Sequence, residues 1–108
     1  MKIVSLIYTN RINPNVVGEL LKEECGFSYF KGTRREKIFQ NSLEETTVKV
    51  NGFKIEIMYK SIHSYSIAML IKKLSAFNKD RKITIKKYDT EEKDNINQFL
   101  ELGKYYFA

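Results

Sequence analysis

The amino-acid sequence predicts an α+β domain on three observations: a nearly unbroken apolar run over residues 2–9, an Asn-Gly pair flanked by alternating apolar positions, and segments of helical period between the strands. Ile3, Val4, Leu6, Ile7 and Tyr8 fit a strand covered on both faces at the centre of a sheet. Asn13 then stands as a helix cap before Pro14, whose fixed φ suits the first helical position. Val16, Val17, Leu20, Leu21 and Cys25 share one face and Gly26 ends the run, so a helix is expected over 14–25. Residues 26–43 hold no steady period and read as a partly anchored loop with a short helix over 34–41.

Thr46 to Lys60 carries the sharpest local signal. Asn51-Gly52 matches the two positive-φ positions of a type I′ turn, and Val48 and Val50 before it alternate with polar residues as Phe53, Ile55, Ile57 and Tyr59 do after it. A hairpin is expected. Ile67, Leu70, Ile71, Leu74 and Phe77 then recur at three- and four-residue steps, which predicts an amphipathic helix over 63–77. Lys82 to Lys86 alternates as a half-exposed strand. Asp89 and Glu92 resemble a capping pair for a helix carrying Ile96, Phe99 and Leu100, and Tyr105-Tyr106-Phe107 reads as a short edge strand.

The order strand, helix, strand, strand, helix, strand is the split βαβ, or ferredoxin-like, arrangement, here with an added C-terminal helix and a short fifth strand. Its crossovers are expected to set residues 2–9 and 53–60 side by side and parallel, with both helices on one face of the sheet and the other face open. No repeat or linker divides the chain, so residues 1–108 read as one domain.

Composition narrows the function classes. With 43% hydrophobic and 30% charged residues, one Pro and five Gly, the chain is neither disordered nor low-complexity. It has no apolar run long enough to span a bilayer, and no membrane role is expected. One cysteine and one histidine leave no zinc constellation and no internal disulfide, so neither metal nor cofactor is expected and the setting reads as cytoplasmic and reducing. Cys25, in the last turn of its helix, reads as a core thiol. The formal charge of +6 at a pI near 9.4 is spread evenly, so a nucleic-acid footprint must be assembled by folding. On the expected open face it would include Lys49, Lys54, Lys82 and Lys86, and beside them the cluster of Arg34 and Arg35.

Parallel adjacency of the first and third strands would also converge two helix N-termini. Asn10, Arg11 and Asn13 in one loop and Lys60, Ser61, His63 and Ser64 in the other would then frame a site for an anion or phosphorylated small molecule. Asn13, Ser61 and Ser64 are equally the residue types that cap helices with nothing bound. His63 is the one candidate catalytic residue, as general acid or base of a metal-independent phosphodiesterase with Lys60 and Arg11.

RNA-recognition domains share the strand order, but Asn51-Gly52-Phe53-Lys54-Ile55-Glu56 lacks their aromatic spacing. Ser61 to Ile67 is loosely similar to the histidine-bearing helix start of small viral nucleases that cleave cyclic oligoadenylates. It lacks the glycine expected before the histidine and follows the hairpin rather than preceding it, so it assigns no family. The leading expectation is a non-catalytic protein that binds nucleic acid or a phosphorylated ligand. The rival is a protein-protein module, a homodimer or an inhibitor, pairing through an edge strand. A chain rich in Lys, Ile and Asn and lacking Trp suits an AT-rich genome, such as that of a virus or mobile element.

Overall fold

The computed structural model of the chain describes residues 2–8, 11–43, 45–60, 64–75, 83–85 and 105–107. Their elements are β1 (Lys2–Tyr8), α1 (Pro14–Glu24), β2 (Ser28–Gly32), β3 (Lys37–Asn41), β4 (Thr46–Val50), β5 (Lys54–Tyr59), α2 (Ser64–Ser75), β6 (Ile83–Ile85) and β7 (Tyr105–Phe107). The class is α+β, with a sheet ordered β2-β3-β4-β5-β1-β6-β7. The five strands β2, β3, β4, β5 and β1 pair antiparallel throughout, and β7 joins β6 in parallel at the far edge. The expected helix over residues 89–102 lies outside the described residues. No helix among those described is long and apolar enough to cross a membrane.

β1 and β5 are neighbours, as expected, but they run in opposite directions, with Lys2 opposite Tyr59 and Ile7 opposite Lys54. The expected parallel pairing fails on parity. A helical crossover returns the chain in its starting direction and each hairpin reverses it. One crossover and an odd number of reversals therefore bring β5 back against β1. The strand order alone implied this.

Residues 26–43 hold the second departure, because the expected loop and short helix are a hairpin, β2–β3. Its period is hidden by exposure. All five residues of β2 are exposed, and on β3 only Phe39 is buried, so no alternating apolar face marks either strand.

The third departure is the β4–β5 turn. Among the described residues only Gly26 and Glu45 have positive φ, so Asn51-Gly52 is not a type I′ centre. Asn51 opens the turn instead. Its Oδ1 accepts from the backbone N–H of Phe53 at 2.9 Å and of Lys54 at 2.7 Å, an Asx arrangement that puts Gly52 and Phe53 at the tip. Val50 then faces Ile55 and Val48 faces Ile57, which keeps these four buried residues on the same side.

That side carries both helices. Val4, Leu6 and Tyr8 of β1, Ile55, Ile57 and Tyr59 of β5, Val48 and Val50 of β4 and Phe39 of β3 share it by register, and all are buried. Val17 and Leu21 of α1 and Ile67, Ala68, Ile71 and Leu74 of α2 close the core over them, with Cys25 packed at its margin. The Tyr8 hydroxyl donates to the Leu74 carbonyl at 3.0 Å, and Lys73 Nζ donates to the Glu24 carbonyl at 3.2 Å, so the helix C-termini are neighbours. α1 begins as its sequence directs: Asn13 caps it by accepting from Asn15 N–H at 2.9 Å, with Pro14 next. It ends at Gly26, whose φ of +75° suits a residue without Cβ.

α1 lies close on the sheet at Gly18, where an added Cβ would stand 2.4 Å from Phe39 Cζ. Gly18→Ala tests that contact by sign. At an exposed helical site the exchange would stabilise by about 1 kcal/mol. Here overpacking against a ring that is 2% exposed costs about 1–3 kcal/mol. A net loss of about 1 kcal/mol is expected from the urea midpoint, and a gain would show that the helix can lift freely.

Candidate functional site

Antiparallel pairing separates the two loops that the sequence placed together. Arg11 follows β1 at one end of the sheet and Lys60 follows β5 at the other, about 20 Å away along six residues of strand. Lys60 there lies 3.6 Å from the Glu45 carboxylate. Asn13 is occupied as the α1 cap. Asn10, Ser61 and His63 lie outside the described residues, and Ser64 is the first residue of α2. The shared anion pocket of Arg11 and Lys60 is therefore corrected, and with it their joint catalytic site.

The face opposite the helices carries apolar as well as charged residues among those described. Lys54 and Lys49 do lie on it, but both flank Glu56: Lys49 is its cross-strand partner and Lys54 Nζ is 3.1 Å from its carboxylate. Ile3, Ile7, Ile38 and Met58 occupy neighbouring positions by register, each half-buried. Lys82 and Lys86 lie outside the described residues.

Charge gathers instead at one corner. The β2–β3 turn, the β4–β5 turn and Arg11 all lie at the same end, because Lys37 faces Val50 and Tyr8 N–H donates to the Phe53 carbonyl at 2.9 Å. Both turns are built alike. Thr33 Oγ1 accepts from Arg35 N–H and Glu36 N–H at 3.2 Å, as Asn51 Oδ1 does in its own turn, and this leaves Arg34 and Arg35 at an exposed tip. The loop carrying Arg11 is pinned there by Ile12 N–H donating to the Gly52 carbonyl at 2.7 Å. Arg11 crosses Gly52 so closely that a Cβ would meet its Nε at 3.0 Å.

Three rings lie on the segments that meet here, Phe53 in the corner itself and Phe30 and Tyr29 two and three residues down β2 from Gly32, and each carries a cation. The Arg11 guanidinium lies 5.8 Å from the Phe53 ring centre, Lys31 Nζ 5.3 Å from Phe30 and Lys37 Nζ 5.7 Å from Tyr29. About half of each ring residue remains open to solvent: 53% for Phe53, 52% for Phe30 and 48% for Tyr29. Phe30 is placed by a bulge in β2. Tyr29 faces Phe39 and Lys31 faces Ile38, so the residue between them has no partner of its own. Tyr29 rests edge-on against Phe39 at 5.7 Å, which ties the hairpin to the core.

The sequence marks Arg34 and Arg35 as a charge cluster and Tyr29 and Phe30 as rings able to stack on a ligand, but it does not bring Phe53 and Arg11 to them. The signal was the cluster Tyr29-Phe30-Lys31, with the aromatic Phe53 just beyond the Asn-Gly pair. Comparison with protein families, curated proteins and solved structures finds no match to this chain.

Proposed function

We propose that the protein binds nucleic acid, and that the corner formed by the β2–β3 hairpin, the β4–β5 turn and Arg11 is the contact surface. One observation carries this reading: three half-exposed rings, each beside a cation, on segments that meet at one corner and hold five cations and one carboxylate, Glu36. Cations supply the phosphate attraction and rings supply surfaces for bases, the combination used by strand-binding grooves. A small phosphorylated ligand would engage the same cations but would leave most of the rings idle. We also read β4-β5-β1-β6 as a split βαβ core whose sheet the β2–β3 hairpin extends at the β4 edge.

A salt series tests the function. With about four phosphates contacted, log K should fall linearly with log salt at a slope near −3 on a single strand. Fluorescence anisotropy of a labelled 20-mer between 50 and 200 mM salt, roughly the range over which such contacts weaken steeply, reads it directly. Affinity flat in salt would remove the reading. The second reading, association through an edge, rests on the five exposed residues of β2. The bulge and Lys31 work against such pairing. A sedimentation mass that rises with concentration, without oligonucleotide bound, would favour it.

A further inference from the structure

We infer that the corner takes single-stranded nucleic acid without regard to base sequence, an inference that rests on the nucleic-acid reading above. The geometry points to it through the rings. A ring half covered by its own protein and half open offers one face, and a base can lie on that face only when it is not already stacked and paired within a duplex. Cations alone would serve a duplex equally well. Phe53 and Phe30 give a single strand something that a duplex cannot use, since base–aromatic stacking accepts any base.

Indifference to sequence follows from where the polar groups are spent. The carboxamide oxygen of Asn51 and the hydroxyl oxygen of Thr33 already accept backbone N–H groups inside their own turns. Those oxygens are committed to the fold. The remaining side chains of the corner are mostly rings and cations, suited to base faces and phosphates.

Spacing sets a minimum length. Phe53 precedes β5 and Phe30 lies on β2, three strands away in the sheet and level by register with residues 56–57 of β5; about 14 Å across and about 11 Å along the strands give roughly 18 Å between them. Stacked nucleotides rise about 3.4 Å each, so roughly six are needed before one strand reaches both rings. Shorter oligomers reach one ring only.

The test uses the full chain and labelled probes: oligo-dT of increasing length, a mixed-sequence DNA 20-mer, oligo-rU, and the mixed 20-mer as a duplex. Single strands, DNA and RNA alike, are expected to bind within about threefold of each other and about tenfold or more above the duplex, with a step in affinity at about six nucleotides. Phe53→Ala should weaken single-strand binding by about tenfold and duplex binding by no more than about twofold. Because Phe53 is exposed, its melting temperature should not move, and Phe53→Tyr should restore binding. Duplex bound as tightly as single strand, or Phe53→Ala without effect, would overturn the inference while leaving nucleic-acid binding intact. No binding to any probe at low salt would overturn both.

Discussion

The double variant Arg34→Glu with Arg35→Glu is expected to bind a 20-mer at least about a hundredfold more weakly than the parent at low salt. Each charge-assisted contact to a phosphate contributes about 1.5–3 kcal/mol, and two are lost together while two repelling charges appear. The slope of log K against log salt should flatten by about 1.4, since each lost contact removes roughly 0.7 on a single strand. Folding should be spared. Both side chains stand exposed at a turn that Thr33 organises, so the circular dichroism spectrum and urea midpoint should match those of the parent. Affinity within threefold of the parent would show that the hairpin tip takes no part.

The second large effect concerns stability. Ile57 is fully buried on β5, facing Val4 on one neighbour and Val48 on the other, so its truncation leaves a void that three strands share. Ile57→Ala is expected to cost about 2–5 kcal/mol and Ile57→Val about 1 kcal/mol. Against a total stability of about 5–15 kcal/mol the first change is severe. Met58→Ala, one residue on and half-buried on the other face, should cost less. Urea unfolding of the three variants orders them, and an equal loss at Met58 would mean that the face opposite the helices is packed as tightly as the core.

Much of this fold was legible because burial leaves a periodic trace. Val17 and Leu21, Ile67, Ile71 and Leu74, and the alternation through Val48, Val50, Ile55 and Ile57 are all residues whose spacing states which face they hide. Asn13-Pro14 and Gly26 marked the limits of α1 for reasons of capping and backbone freedom. β2 and β3 were illegible for the converse reason: β2, with every residue exposed, has no face to hide, β3 buries only Phe39, and the bulge at Phe30 breaks what period remains.

The direction of β5 needs no particular residue, since one crossover and an odd number of hairpins set it antiparallel to β1. The candidate site fared in proportion. Arg34 and Arg35 could be picked out as a charge cluster, whereas the company of Arg11 and Phe53 depends on which strand ends meet, information that no local window contains. Asn51 misled because the same residue type serves two turn geometries. Its carboxamide oxygen captured the N–H groups of Phe53 and Lys54 and moved the turn centre on by one residue.

The place of β1 between β5 and β6 governs how the chain assembles. β2 through β5 fold back on their immediate successors, so their pairing is local and its entropic cost is small. Joining Val4 to Ile57 closes a loop of about fifty residues, and that cost grows with the logarithm of the span. A nascent chain therefore holds its most apolar strand without a mate until the meander is complete. Docking of β1 is expected to be slower than closure of the meander, and an unpaired apolar strand is a site for aggregation until it docks.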